Sequence, residues 1–129
     1  MKYLLTLLLI VSLNVFSDPE GYGYCCRSED AKVKIFINFD SLEVKGNKRK
    51  VWSVLNMIDK NNSTSSFRNL DEFDCDSRTY RTLSSERFSD WDLKGDRNSL
   101  PVTDKLNYIA PNTLDEGIFN IVCELIPNN

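Results

Sequence analysis

The residues best equipped for chemistry in this chain are four cysteines: the adjacent pair Cys25-Cys26 and the distant Cys75 and Cys123. A thiol can attack, bind a metal or close a disulfide, and its neighbours and compartment decide which. Histidine is absent from all 129 residues. It is the usual general base near neutral pH and the commonest metal ligand. Its absence excludes Ser-His-Asp and Cys-His catalysis, and zinc sites that depend on imidazole. Carboxylate pairs and a lysine base remain chemically open, yet no paired-carboxylate motif is present. A non-enzymatic protein without cofactor or metal is expected.

Charged and aromatic side chains offer the remaining candidates. KGNKRK (45–50) places Lys45, Lys48, Arg49 and Lys50 at one hairpin tip. Such a cluster suits an acidic partner, and the plainer reading is a solvated turn whose lysines discourage edge pairing. Arg78, Arg81, Arg87 and Lys94 are candidates to extend it. Asp71, Glu72, Asp74 and Asp76 carry oxygen ligands but lack the glycine and closing glutamate of a calcium loop, so solvated strand edges are expected. Of the two tryptophans, Trp52 reads as core. Trp91 lies in a polar loop and is a candidate contact residue.

The compartment follows from the first residues. MKYLLTLLLIVSLNVFS has a basic Lys2, a short apolar run and a small-residue exit, the order of a secretory signal peptide over residues 1–17. The run is too short to span a bilayer, and no cysteine follows it for lipid attachment. Cleavage after Ser17 removes one lysine and no acid, leaving a chain more acidic than the formal −3 of the whole. Nucleic acid is a poor partner for such a chain. No second apolar run of membrane length follows, so no transmembrane anchor is expected. The Asn62-Ser63-Thr64 sequon matters only in a eukaryotic secretory pathway.

The elements that position these residues follow from hydropathy. Residues 18–31 lack periodicity and read as an irregular lead. VKIFINFD (33–40) alternates as a half-buried strand. Gly46-Asn47 supplies the positive-φ residues of a hairpin, and KVWSVLNMID (50–59) returns as a central strand, apolar on both faces. NNSTSS (61–66) reads as a loop. FRNLDEFDC (67–75) and RTYRTLSSERF (78–88) form the next pair, and the shift from Leu70 to Phe73 predicts a bulge. Residues 89–101 read as a loop turning at Lys94-Gly95-Asp96-Arg97. TLDE (113–116) fits a capping box with Thr113 as N-cap. Leu114, Ile118, Ile121, Val122 and Leu125 then form a helical stripe that Pro127 ends. This pattern predicts an α+β domain over residues 32–126, a small antiparallel sheet packed against a C-terminal helix.

Exported thiols usually end as disulfides. A Cys75–Cys123 bridge would tie sheet to helix, against the alternative of two separately buried thiols. Cys25-Cys26 can close a strained vicinal disulfide, bridge two chains as a homodimer, or anchor the lead elsewhere. Four cysteines allow three full pairings, and the sequence does not choose.

FDC (73–75), RTYRTLSS (78–85), YIAPNTLDE (108–116) and FNIVC (119–123), in this order, resemble the surface-adhesin protein E-like domains of Gram-negative bacteria. VKIFINFDSL (33–42) and KVWSVLNMID (50–59) match that family's opening strands in order and type. The resemblance implies an antiparallel sheet, a C-terminal helix and a bridge between Cys75 and Cys123. It also implies partners among host extracellular-matrix or serum proteins, such as vitronectin and laminin. Two departures stand out. The family's type member is lipid-anchored, and a tryptophan often found before the proline segment is replaced here by Leu106-Asn107. Two functions are therefore carried forward: an exported binding module that is secreted or displayed at the cell surface, and a periplasmic structural or stress-related domain with no host partner.

Overall fold

The hairpin at Gly46-Asn47 sets the frame of the sheet. The structure, a computed structural model, describes residues 19–124; the signal-peptide reading of 1–17, and Leu125 and Pro127, lie outside the described residues. Strands β2 (Val33–Lys45) and β3 (Lys48–Ile58) pair antiparallel, with Lys45 opposite Lys48. Of the two turn residues only Gly46 takes a positive φ, the arrangement of a II′ turn with glycine first. β4 (Thr64–Asp74) and β5 (Thr79–Phe88) continue the meander. With β1 (Gly23–Arg27), β6 (Arg97–Ser99) and β7 (Asn107–Tyr108), the sheet runs β1-β2-β3-β4-β5-β6, and β7 also pairs with β5. Helix α1 (Leu114–Glu124) completes an α+β fold. Among the described residues, no helix is long and apolar enough to cross a membrane.

Three expectations are corrected. The lead read as irregular contains β1, so the sheet begins upstream of residue 32. Its alternation is masked by Gly23 and by a bulge between Tyr24 and Cys26. β4 starts at Thr64, inside the stretch read as a loop, because Ser66 is buried and donates its hydroxyl to the Asp90 carbonyl at 2.6 Å. β6 and β7 hold three and two residues, too short for any periodic signal. The bulge expected near Leu70 is present, between Leu70 and Asp71.

The two faces of the sheet bury different kinds of group. Ile35, Ile37, Val51 and Phe73 meet Ile118, Phe119 and Val122 of the helix in one apolar cluster, joined by Ile109. Phe119 lies beside the expected stripe and is buried because it packs on Phe73, ring centroids 6.5 Å apart, beneath the Arg78 guanidinium 4.7 Å away. Phe36 and Val54, of the opposite parity and directly paired, are buried on the other face. There the Arg68 guanidinium lies 5.8 Å from the Trp52 ring and 5.5 Å from the Phe88 ring. Glu86 accepts from Arg68 at 2.7 Å and from Arg97 at 3.0 Å.

The helix is fixed at both termini. At its start Glu116 N donates to Thr113 Oγ1 at 3.3 Å, and the Glu116 carboxylate accepts from Asn112 N at 3.1 Å, one residue earlier than a strict capping box. At its end Cys123 is bridged to Cys75, their Cα atoms 5.6 Å apart and 48 residues apart in sequence.

Candidate functional site

The basic hairpin is the first candidate, and its register decides its character. β3 alternates, so Arg49 points to the helix face while Lys48 and Lys50 point away. Arg49 is fully buried. Its Nε donates to the Val122 carbonyl at 3.1 Å, and its Nη1 donates to Gly46 O at 2.7 Å and Lys48 O at 3.0 Å. The last carbonyls of a helix have no partner within it, and a cation there meets the negative end of the helix dipole. The last turn of α1 contains no basic residue of its own; Arg49 supplies that charge from the strand. Lys48 lies 3.4 Å from Asp74, and Lys50 lies 3.0 Å from Glu43. Of the expected quartet, Lys45 is exposed, Lys48 and Lys50 are paired with acids, and Arg49 is interior.

Of the residues considered as extensions of that cluster, Arg78 bonds Glu116 at 2.9 Å and Arg81 bonds Glu72 at 3.1 Å. The acidic residues read as solvated strand edges divide as well. Asp71 is buried, accepts from Thr82 Oγ1 at 2.6 Å, and has its pKa pushed up to about 6 by burial. The Thr82 hydrogen bond opposes that shift, and the charge of Asp115 adds to it. Burial and Asp115 also raise Tyr80, whose hydroxyl donates to Asp115 at 3.1 Å. Among the described residues, no three His, Cys, Asp or Glu side chains are placed to hold a metal.

Trp91 sits near the opposite end of β3, about 30 Å along the strand from the hairpin tip. Its indole N–H donates to the Met57 carbonyl at 2.9 Å. Asn56 and Asp92 exchange two hydrogen bonds beside it, and Leu93 N donates to Ser66 Oγ at 3.0 Å. The indole pegs this loop to the sheet and keeps one face partly open. Trp91 and the hairpin do not converge.

The residues that do converge were not among those expected. β6 and β7 both pair with the outer edge of β5, at Glu86–Phe88 and at Thr79–Tyr80, and residues 100–106 arch between them. Along the returning chain the alternation of an extended segment sorts the side chains. Lys105 and Asn107 line a cleft of about 320 Å³ beneath the arch, and Ile109 enters the core. Leu106 and Tyr108 point the other way, 56% and 82% exposed. Val102, on the outgoing limb, is also exposed. The cleft floor is Thr82 and Ser85 of β5. Their hydroxyls donate inward, to Asp71 and to Asn69 Oδ1 at 2.7 Å, so acceptor lone pairs are left toward the cleft. With Lys105 and Asn107 also in its lining, the cleft offers both donors and acceptors. Leu106-Asn107 was legible in the sequence as a departure from the resembled family, although its exposure was not.

Cys25 and Cys26 remain unbridged thiols, Sγ to Sγ 2.8 Å, half-buried on the bulge of β1.

The family model described as surface-adhesin protein E matches residues 26–124. Among solved structures, the fold is similar to that of Haemophilus influenzae protein E in its crystal form II. That match has 16% identity and a TM-score of 0.60, covering 84% of this chain and 95% of that one. A second structure of Haemophilus influenzae protein E matches at 13% identity and a TM-score of 0.59, covering 83% and 86%. Protein E from non-typeable Haemophilus influenzae matches at 13% identity and 0.58, covering 84% and 79%. A comparison with curated protein sequences finds no match.

Proposed function

The chain belongs to the surface-adhesin protein E family, and on that premise we propose that it is an exported, non-enzymatic binding module for host extracellular-matrix or serum proteins. The observation that supports a contact surface at the β5 edge is Tyr108, 82% exposed on a strand held by backbone pairing to Thr79. An aromatic side chain in that position offers large contact area at low entropic cost. Leu106 adjoins it, and the cleft lies behind. The basic hairpin is a weaker candidate, because Lys48 and Lys50 are engaged by Asp74 and Glu43, its arginine is interior, and only Lys45 is left at the surface outside these pairs.

The test has two arms. Protease treatment of intact cells, with a periplasmic control and an assay of the medium, places the protein outside or inside the outer membrane. Full protection until that membrane is opened would remove host binding and leave a periplasmic domain. Binding to immobilised vitronectin and laminin then compares wild type with Leu106→Ser/Tyr108→Ser and with Lys45→Ser/Lys48→Ser/Lys50→Ser. Loss of at least tenfold in the first variant, with little change in the second, is expected for two truncated hot-spot residues. The reverse pattern would return the hairpin as the contact. A concentration-dependent mass that falls with Leu106→Ser/Tyr108→Ser would assign the surface to a second copy of the chain.

A further inference from the structure

In a regular strand, consecutive side chains point to opposite faces, so Cys25 and Cys26 should be separated by the sheet. The bulge prevents this. Tyr24 pairs with Phe36 and Cys26 with Ile35, which leaves Cys25 as the extra residue. An inserted residue re-aims a side chain, and both cysteines now pack against the same core cluster as α1. Their sulfurs are 2.8 Å apart. The helix accommodates Cys26 at Gly117, where a Cβ would stand 3.1 Å from Cys26 Sγ and 3.6 Å from its Cβ. Both residues are half-buried, so a reagent can reach them from the β1 edge. Neither thiol takes part in the binding surface proposed above.

We propose that Cys25 and Cys26 form a reversible thiol–disulfide exchange site whose substrate is an external disulfide. Either thiol can donate to the other, so either sulfur can attack, and the steps are written for Cys26. The hydrogen bond from Cys25 holds its thiol below the usual range, against burial and the charge of Asp115, while the same bond and burial push Cys25 up. The Cys26 thiolate attacks one sulfur of the external disulfide; that S–S bond breaks, and the second external sulfur leaves as a thiolate. Cys25 then gives its proton to solvent and attacks Cys26 Sγ. The mixed disulfide breaks, releasing the other external thiolate. In sum the pair loses two electrons and two protons, and the external disulfide is reduced to two thiols.

Reversibility follows from adjacency. Neighbouring Cα atoms are about 3.8 Å apart, short of the roughly 4.4–6.8 Å that relaxed disulfides span. A vicinal bridge is therefore strained and easily reduced again. The Cys75–Cys123 bridge, at 5.6 Å, carries no such compression.

The full chain, with Cys75–Cys123 intact, is equilibrated in a series of reduced and oxidised glutathione ratios. Remaining thiols are then alkylated and the products mapped by mass spectrometry. Wild type should show two alkylated cysteines at reducing ratios. At oxidising ratios it should show neither alkylation nor glutathione, with the link located inside the 25–26 peptide. The Cys25–Cys26 bond should open at a ratio at least tenfold more oxidising than Cys75–Cys123, equivalent to about 30 mV. Cys25→Ser should trap glutathione on Cys26, and Cys26→Ser should trap it on Cys25. Glutathione on both cysteines of wild type, disulfide-linked dimers, inert thiols, or the two pairs opening at one ratio would each overturn the proposal. The wild-type titration decides the matter even if a serine variant fails to fold.

Discussion

At its C-terminal end α1 is held by a covalent bridge and by a buried guanidinium on the Val122 carbonyl. Near its N-terminal end the same helix rests on the Cys26 thiol at Gly117, and Asp115 accepts from Tyr80 beside the buried Asp71. One end is closed by a covalent bond and a buried hydrogen bond. The other is built from groups whose protonation or oxidation can change. The eleven residues of α1 thus carry a fixed anchor near one end and a responsive one near the other.

The largest expected effect breaks the fixed end. Cys75→Ser/Cys123→Ser removes a cross-link over 48 residues and should cost about 4 kcal/mol by loop entropy. Urea unfolding of the oxidised proteins measures it, and a loss below about 1 kcal/mol would mean that Arg49 and the apolar stripe hold the helix unaided.

The second effect concerns pH. The folded Asp71 carboxyl titrates at about 6, above its unfolded value of about 3.9. The native state therefore binds this proton more tightly. Its stabilising contribution is complete below about pH 4 and is lost as pH rises through 6. Asp71→Asn keeps an acceptor for Thr82 and never ionises, so it should gain about 3 kcal/mol over wild type at pH 8 and no more than about 0.5 kcal/mol at pH 4. Asp30 and Asp90, held low by hydrogen bonds from Ser28 and Thr64, act in the opposite direction but equally in both proteins. Equal stability of the two proteins at pH 8 would show that water solvates Asp71 in place.

The smallest effect should come from the responsive end under reducing conditions. Cys25→Ser/Cys26→Ser exchanges two half-buried sulfurs for hydroxyls and should shift stability by less than about 1 kcal/mol. A loss approaching that of the Cys75/Cys123 variant would erase the distinction between the two ends.

Much of the frame was legible in the sequence, because hairpin turns, alternation and capping act locally. Gly46, the Leu70 bulge and Thr113 each announced their elements through short-range chemistry. β1 was missed because its bulge cancels the period that would reveal it. Arg49 read as a tip charge because its partner, the Val122 carbonyl, lies 73 residues away. The exposed Leu106 and Tyr108 gave no signal of their own. Their orientation depends on pairing with β5, which two-residue periodicity cannot anticipate.

The two margins of the sheet differ in what they offer to another molecule. The outer margin of β5 is taken by two very short strands separated by an arch, a poor template for a further strand. Among the described residues, β1 pairs on one side only and leaves its other side open. A sheet with one receptive margin has a valency of one. Among the described residues, a copy added at β1 would leave no equivalent margin from which a fibre could propagate.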